Sequence, residues 1–219
     1  MKILVIAPHR DDELLGVGGT LLKRKANGDQ ITVCIVTSAA APEDEEEVRI
    51  LTEEMRAAHR FCGIDRTVGL PFKPVVLEDY PRAELNQALL DLIVEEQPDE
   101  VYLPFRGDMQ VDHRLTTDAA MVVLRAKYNH PVRRIYAYET LSETGINLPS
   151  AENTFIPNVF EDISDYLDRK KEALGFYRSQ MHDFPDLRSP ETVEALAKLR
   201  GSTVNVKAAE AFMLIREIR

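Results

Sequence analysis

The residues best suited to chemistry follow a short apolar segment near the start of the chain. Lys2–Ala7 is the kind of β-branched and apolar run that forms a buried parallel strand, and Pro8 ends it. The next five residues, His9–Glu13, contain one imidazole and three carboxylates. Imidazole and carboxylate are zinc ligands, and doubly wound α/β proteins place ligands at the carboxyl ends of their strands. The segment therefore predicts half of a metal site.

A second polar cluster follows another predicted strand. Gly107–His113 comes shortly after the apolar run Val101–Pro104. In a parallel sheet both loops leave from the same edge, so the two clusters can converge despite their separation in the sequence. The sequence therefore predicts that the second half of the site lies in this loop.

Together the two loops offer the composition of a catalytic zinc site. His9 and Asp12 from the first loop and His113 from the second provide two imidazoles and one carboxylate. Three protein ligands leave a fourth position for water, as in catalytic rather than structural zinc sites. Zinc lowers the pKa of such a water toward about 7, and Asp11 is placed to take its proton.

Single residues in these clusters also have simpler interpretations. A lone histidine beside acids is usually part of a solvated loop, and Asp112 is a good N-cap for the helix that follows it. As an N-cap, Asp112 could still orient a neighbouring side chain. His59 falls in mid-helix and His130 precedes a proline, so we expect both to be structural. The pairing of two clusters at one sheet edge favours the metal site.

The composition excludes several classes of protein. The formal net charge of -10 over 219 residues argues against a nucleic-acid or anionic-membrane partner. No segment approaches the roughly 20 apolar residues of a membrane span. The sequence begins at once with a strand, so we expect no signal peptide and a cytoplasmic protein. Cys34 and Cys62 fit no metal or disulfide spacing and are expected to be small buried side chains.

Strand and helix patterns alternate through the first 140 residues. The predicted strands are Lys2–Ala7, Ile31–Thr37, a short Thr67–Leu70, Val101–Pro104 and Arg134–Thr140. The predicted helices run from Leu14 to Asn27, from Glu43 to Cys62, from Arg82 to Gln97 and from Asp112 to Lys127. Right-handed crossovers turn this alternation into a doubly wound parallel sheet.

The rest of the chain is less regular. We predict a strand at Asn158–Ile163, a helix from an N-cap at Ser164 to Gln180, a helix at Glu191–Arg200, and a last helical turn or strand at Ala211–Ile215. No linker or repeat interrupts the sequence, so we expect one domain over residues 1–219. The predicted fold class is α/β, with a mostly parallel sheet.

Several motifs resemble the PIG-L/LmbE family of metal-dependent N-deacetylases. They are the loop His9–Glu13, the glycines Gly16, Gly18 and Gly19, the pair Asp112-His113, and the C-terminal segments Lys171–Leu174, Tyr177–Gln180 and Ala209–Phe212. The usual first motif of that family is Ala-His-Pro-Asp-Asp-Glu. Here Pro8 replaces its alanine and Arg10 its proline. The resemblance spans nearly the whole chain.

This resemblance implies a Rossmann-like fold with helices on both faces of the sheet. It also implies hydrolysis of an N-acetyl group, typically from an acetylglucosamine-type sugar or its glycoconjugate. His9, Asp12 and His113 would bind zinc, although iron(II) accepts the same ligands, and Asp11 would be the general base. We place Asp112 with the catalytic residues as well. Members of this family often form oligomers, so a homo-oligomer is one of the partners that the resemblance allows.

One position departs from the family pattern. Gln110 stands where the family's His-x-Asp-His motif has its first histidine, which is expected to assist the tetrahedral intermediate or protonate the leaving amine. Glutamine can donate a hydrogen bond to an oxyanion but cannot deliver a proton near neutral pH. Either Asp11 performs both proton transfers, or a group such as His182 substitutes, or activity is reduced.

Three other functions compete with the deacetylase. The first is a nucleotide-binding oxidoreductase. However, the glycines from Gly16 to Gly19 have the wrong spacing for a dinucleotide-binding loop, and the acids before them would repel a pyrophosphate. Phosphoester hydrolysis commonly needs two metals, and clear ligands exist for one. The strongest alternative is a metal- or carbohydrate-binding descendant of the family whose catalysis is impaired by Gln110.

The loops Pro71–Pro81 and Thr144–Pro157 are expected to determine which substrate is bound. Arg49 is either a substrate clamp or part of a surface ion pair.

Overall fold

The computed structural model describes residues 1–39, 45–128 and 130–219. Its strands are β1 (Lys2–Ala7), β2 (Gln30–Ile35), β3 (Arg66–Gly69), β4 (Glu100–Pro104), β5 (Arg134–Tyr138), β6 (Val159–Asp162) and β7 (Ala209–Glu217). Its helices are α1 (Asp12–Ala26), α2 (Glu45–Cys62), α3 (Arg82–Glu96), α4 (Val111–Val123), α5 (Leu167–Leu174) and α6 (Pro190–Ser202).

Within the described residues the strands form one mixed sheet in the order β3-β2-β1-β4-β5-β7-β6. The pairs from β3 to β5 are all parallel, whereas β7 runs antiparallel to both of its neighbours. The chain builds outward from β1 through β2 and β3 and then returns to the other side of β1 with β4. Such a reversal opens a ligand crevice at the carboxyl ends of the two central strands.

Helices cover both faces of the sheet, which confirms the predicted fold class. In β1, Ile3 and Val5 pack with α1, α2 and α5, whereas Leu4 and Ile6 pack with α3 and α4 on the other face. A strand covered on both faces is apolar at every position, not at alternate positions. The continuous apolar run in the sequence therefore has a direct structural cause.

The helix boundaries in the first half largely follow the sequence signals. Helix α1 ends at Ala26, directly before the predicted Asn27-Gly28 cap. The acidic start of α2 is described from Glu45 onward, and the predicted start at Glu43 lies outside the described residues. Helix α4 ends at Val123, so the prediction of a helix reaching Lys127 is wrong there. A separate short 3₁₀ turn follows at Ala126–Tyr128.

The predicted helix from Ser164 to Gln180 is wrong at both ends. Helix α5 covers only Leu167–Leu174. Ser164 is not the N-cap, because its hydroxyl donates to Oδ1 of Asp162 at 2.5 Å in the turn before the helix. The ambiguous segment Ala211–Ile215 belongs to strand β7.

The C-terminal half fixes helix α1 through a buried ion pair. The carboxylate of Glu210 accepts hydrogen bonds from the backbone N–H groups of Gly19 and Thr20 at 2.8 and 2.7 Å. Nζ of Lys170 donates to Glu210 at 2.6 Å and to the carbonyl of Leu15 at 2.7 Å. Strand β7 and helix α5 thereby hold the helix whose first residue is Asp12.

Two simpler expectations can be checked directly. In the described part of the chain, no helix is long and apolar enough to cross a membrane. Cys34 and Cys62 are buried and unbonded to each other. Burial raises the pKa of the Cys62 thiol to about 12 and raises that of Cys34 further, so neither is a reactive thiolate at neutral pH.

Candidate metal centre

The first half of the site lies in the tight connection between β1 and α1. Strand β1 ends at Ala7, and α1 begins only five residues later at Asp12. Asp11 makes this turn possible with a φ of 108°, a left-handed conformation that Asp and Asn tolerate better than most residues. Its backbone N–H donates to Oε2 of Glu13 at 3.0 Å. The turn brings both His9 and Asp12 to the carboxyl end of β1.

The second half comes from the loop between β4 and α4. Strand β4 ends at Pro104, and Gln110 is the N-cap residue of α4. Asp112 and His113 then occupy the first turn of the helix, where both are buried. The alternative interpretation of Asp112 as the N-cap is wrong, because it lies inside the helix. Its carboxylate instead bonds residues outside α4.

The two loops converge on one cluster of three potential ligands. One ligand atom each from His9, Asp12 and His113 lies within 4.8 Å of the others. Oδ2 of Asp12 is 3.2 Å from Nδ1 of His9 and 3.3 Å from Nε2 of His113. Among the described residues, Oδ1 of Asp12 and Nε2 of His113 are buried without a hydrogen-bond partner. Buried polar atoms without partners are costly, and two imidazoles with one carboxylate are donors that a divalent metal accepts. The residues present fit a metal ion.

Each histidine of the cluster has a carboxylate on its outer nitrogen. Nε2 of His9 is 2.9 Å from Oδ2 of Asp112, and Nδ1 of His113 is 2.8 Å from Oδ2 of Asp108. Thr144 donates in turn to Asp108 at 2.5 Å. A carboxylate in this position fixes the tautomer and orientation of a ligating imidazole. The inner nitrogens, Nδ1 of His9 and Nε2 of His113, are then the ones available to a metal.

The electrostatics of the metal-free cluster reflect these contacts. Burial acts to lower the pKa of His9, but the contacts with Asp112 and Asp12 outweigh it and raise that pKa to about 9. For His113, burial is likewise outweighed by Asp12 and Asp108, and the pKa rises to about 10. The two histidines hold the pKa of Asp12 well below its usual range despite burial. The contacts within the metal-free cluster therefore favour protonated histidines and an ionised Asp12.

The three consecutive acids of the first loop have separate partners. Asp12 faces the two histidines, whereas Oδ2 of Asp11 lies 3.2 Å from the guanidinium of Arg188. Glu13 accepts from Asp11 and approaches Nε2 of His59 at 3.0 Å, and it also accepts the hydroxyl of Tyr177 at 2.5 Å. Burial and the neighbouring Asp12 raise the pKa of Asp11 well above its ordinary value, and Arg188 opposes that rise.

A cleft of about 750 Å³ opens over the cluster. Its floor includes His9 and Asp11, and Gln110, Gln180 and Arg188 lie along its sides. The predicted specificity loop Pro71–Pro81 contributes one wall through Lys73–Val76. The other predicted loop, Thr144–Pro157, has no residue among the described residues that line this cleft. It supports the site from behind through the Thr144 hydroxyl.

Val75 is an unusual part of that wall. It is β-branched, yet its φ is 69°, and its side chain is exposed, with 72% of the residue surface accessible. Its backbone N–H donates to Oδ2 of Asp112 at 2.7 Å. A β-branched residue in the left-handed region is strained, and such strain concentrates at functional sites. The bond links the wall of the cleft to the residue that orients His9.

Four residues considered in the sequence lie outside the cluster. His182 is exposed and does not line the cleft. Arg49 pairs with Glu46 and Glu53 along the surface of α2, in agreement with the simpler ion-pair interpretation. His59 is buried in α2 and bonds Thr67 and Glu13, in keeping with a structural role. His130 precedes the amino end of β5, the edge of the sheet opposite to the cluster.

Sequence reasoning did not single out Asp108, Arg188 or Glu143. Asp108 had a usable signal, because an acid five residues before a ligating histidine can reach its outer nitrogen. Arg188 and Glu143 lie in irregular segments that carry no such spacing. Glu143 is buried, its carboxylate accepts from the backbone N–H of Gln110 at 3.3 Å, and burial raises its pKa.

Comparison with known proteins identifies the family. The family model PIG-L, described as GlcNAc-PI de-N-acetylase, matches residues 4–124, which is more than half of the chain and includes both ligand loops. The chain belongs to the PIG-L family. This PIG-L protein is 29% identical to the diacetylchitobiose deacetylase of Thermococcus kodakarensis over 201 residues, which cover 84% of this chain and 71% of that one.

Two further relatives agree with this assignment. The uncharacterized deacetylase YaiS of Escherichia coli is 30% identical over 186 residues, covering 81% of the PIG-L protein and 90% of YaiS. The N,N'-diacetylchitobiose deacetylase structure from Pyrococcus horikoshii superposes with a TM-score of 0.79 at 24% identity. That alignment covers 98% of this chain and 84% of the other. The chain thus has the fold of these deacetylases and belongs to a family of hydrolytic enzymes.

Proposed function

We propose that this PIG-L protein is a metal-dependent hydrolase that removes the N-acetyl group from an N-acetylglucosamine-type sugar or glycoconjugate. The observation that carries the proposal is the convergence of His9, Asp12 and His113 on one cluster beside a cleft that His9 and Asp11 line. The substrate class is taken from the family description and from the diacetylchitobiose deacetylases. A cleft of about 750 Å³ is within the usual range for small-molecule sites.

His9, Asp12 and His113 would hold the metal. Zn²⁺ is our first assignment for two imidazoles and one carboxylate, and Fe²⁺ accepts the same donors. When bound, such an ion supplies Lewis-acid chemistry, because it polarises an amide carbonyl and makes water more acidic. Asp108 orients the imidazole of His113, and Asp112 orients that of His9. We therefore assign Asp112 the role of positioning the metal ligand His9.

Asp11 would move the protons. Among the described residues its Oδ2 is buried without a hydrogen-bond partner, which leaves it free to accept a proton from the attacking water. The water oxygen forms a bond to the acyl carbon, and the C–N bond then breaks. Protonated Asp11 returns its proton to the departing nitrogen, so the products are acetate and a free amino sugar.

Gln110 would stabilise charge on the acyl oxygen. It lines the cleft at the N-terminus of α4, and its side-chain amide can donate a hydrogen bond there. It cannot deliver a proton. Because His182 is exposed and does not line the cleft, we favour Asp11 as the group that performs both proton transfers.

The test combines metal analysis with a substrate panel. We expect about one zinc or iron per chain by elemental analysis, and loss of that metal in His113→Ala. The metal-loaded protein should release acetate from at least one sugar among N-acetylglucosamine, N,N'-diacetylchitobiose and their glycosides. His182→Gln serves as the matched control, because that histidine is exposed.

The alternative remains a metal- or carbohydrate-binding descendant of the same fold, and Gln110 is the observation that favours it. Metal at full stoichiometry without turnover on the whole panel would support this alternative against the deacetylase. Absence of metal, with no uptake of added zinc, would contradict the deacetylase and every form of the alternative that keeps the metal site.

A further inference from the structure

Arg188 is the cation that contacts Asp11. Nη1 of its guanidinium lies 3.2 Å from Oδ2 of that carboxylate. Asp11 is buried, whereas the Arg188 side chain is 22% exposed and lines the cleft. Arginine side chains carry a positive charge in proteins. A permanent positive charge therefore lies beside the proposed general base.

The guanidinium is held in place by two further segments of the chain. Its Nε donates to Oγ of Ser142 at 3.0 Å, and Nη1 donates to Oε1 of Gln180 at 3.0 Å. Ser142 follows β5, and Gln180 follows α5. Arg188 lies in the same connection between α5 and α6 as Gln180. With Asp11 after β1 and Ser142 after β5, residues of three connections therefore surround one planar group. Such preorganisation is expected of a residue that sets the geometry of another.

The contact with Asp11 is an ion pair without a hydrogen bond. Although Nη1 of Arg188 is 3.2 Å away, Oδ2 of Asp11 is buried and has no hydrogen-bond partner among the residues described. The charge of the carboxylate is thus balanced while its acceptor position stays available. A general base needs both conditions, because it must be charged and must still accept a hydrogen bond from water.

The charges of the three acids in the loop His9–Glu13 also favour a pairing of Asp11 with Arg188. Three adjacent buried carboxylates repel one another, and an unpaired buried carboxylate is costly. Asp12 lies between the two histidines, and Glu13 is satisfied by His59 and Tyr177. For Asp11, the side chain that offers a permanent countercharge is Arg188.

We propose that Arg188 is a positioning residue for Asp11, which balances the charge of this carboxylate and holds it toward the metal site without occupying its acceptor position. The inference rests on the proposed deacetylase function. It differs from a substrate clamp, because a guanidinium already bound to Ser142, Gln180 and Asp11 acts on the base rather than on the sugar.

The experiment compares Arg188→Gln and Arg188→Lys with Arg178→Gln, an exposed arginine of the preceding turn. Steady-state kinetics use whichever sugar of the panel is hydrolysed fastest, with metal content measured in every preparation. We expect kcat of Arg188→Gln to fall roughly 10- to 100-fold, less than the ~10²–10⁴ that a general base supplies. KM should stay within about threefold, and metal content should be unchanged. Lysine should restore part of kcat, and Arg178→Gln should match the wild type.

A double-mutant cycle separates this role from others. If Arg188 acts through Asp11, then Arg188→Gln has no further effect on kcat in an Asp11→Asn background. An additional loss of the full size in that background would overturn the proposal, as would a rise in KM with kcat unchanged. Loss of metal in Arg188→Gln would also overturn it and indicate a structural role.

The hydrogen bonding of Arg188 can be measured without substrate, so the positioning role and the deacetylase function can be tested separately. In the ¹H–¹⁵N spectrum, the Nε–H signal of Arg188 should exchange slowly in the wild type and quickly in Ser142→Gly, which removes its acceptor. An Arg188→Gln variant with wild-type kcat would refute the positioning role while the deacetylase stands. A wild-type protein with bound metal that hydrolyses no sugar would refute the deacetylase, even if the Arg188 signal is protected.

Discussion

Oδ2 of Asp108 lies 2.8 Å from Nδ1 of His113, so the imidazole presents its other nitrogen to the metal cluster. Replacing this carboxylate in Asp108→Asn removes the charge that orients the ring. We expect metal affinity to fall by about 10- to 100-fold, as for other carboxylates behind metal-binding histidines. Titration with a competing chelator measures the effect.

The matched control for this prediction is Asp118→Asn. Asp118 is a residue of helix α4, and its carboxylate pairs with Arg106 at the surface. This variant should bind metal as the wild type does. Equal metal affinities for Asp108→Asn and the wild type would show that the Asp108 contact does not support the metal site.

Asp11→Asn should separate metal binding from turnover. The side chain is not one of the three clustered ligands, so metal content should stay at the wild-type level. The amide cannot accept a proton, and we expect kcat to fall by roughly 10²–10⁴. Acetate release and elemental analysis on the same preparation provide the two readouts. Hydrolysis at the wild-type rate would remove Asp11 from the mechanism.

The raised histidine pKa values predict a specific pH dependence for the metal-free protein. An unfolded histidine has a pKa of about 6.5, whereas the folded values for His9 and His113 are about 9 and about 10. A group with a raised folded pKa contributes its full stability below the unfolded value and loses it as pH rises through the folded value. The free energy of unfolding of the metal-free protein should therefore decrease from about pH 6.5 toward pH 10.

Urea unfolding at several pH values, in the presence of a chelator, checks this decrease. The metal-loaded protein should show a much smaller decrease, because bound metal requires both histidines without their extra protons. His130→Gln, which changes a histidine away from the cluster, should leave the slope unchanged. A metal-free stability that is constant or rises between pH 6.5 and 9 would contradict the assigned contacts.

Two glycines of α1 should respond oppositely to alanine. A Cβ at Gly16 would overlap the ring of Tyr138, which is fully buried and donates its hydroxyl to the carbonyl of Ile6 at 3.1 Å. Gly16→Ala should therefore destabilise the protein by about 1–3 kcal/mol. At Gly18 the nearest atom would be Cγ of Lys170 at 3.4 Å, an ordinary contact. Gly18→Ala should stabilise by up to about 1 kcal/mol. Thermal unfolding of both variants decides the matter, and equal melting temperatures would refute the packing argument.

Much of the architecture was predictable, because its signals are local. The apolar run Lys2–Ala7 and the Asn27-Gly28 helix end each depend on neighbouring residues only. The convergence of His9 and His113 followed from one further rule, that parallel strands deliver their carboxyl ends to the same edge. The three clustered residues could therefore be proposed from the sequence alone.

The surroundings of the cluster were less accessible to sequence reasoning. The pattern from Ser164 to Gln180 suggested one helix, but the chain turns after Leu174 so that the buried Tyr177 reaches Glu13. A tertiary contact outweighs local helix propensity there. Arg188 has no periodic neighbours. Two of its partners, Asp11 and Ser142, are distant in the sequence, and only Gln180 is close, eight residues away. No local rule could assign it to Asp11.

The bonds from Glu210 and Lys170 to the interior of α1 also bear on how the chain matures during synthesis. His9, Asp12 and His113 leave the ribosome well before Glu210, yet the helix that carries Asp12 gains its buried carboxylate only when β7 is complete. A nascent chain that stops before Glu210 exposes the ligand residues without the support of α1. We expect such chains to capture metal weakly, so the addition of β7 governs when the metal centre is completed.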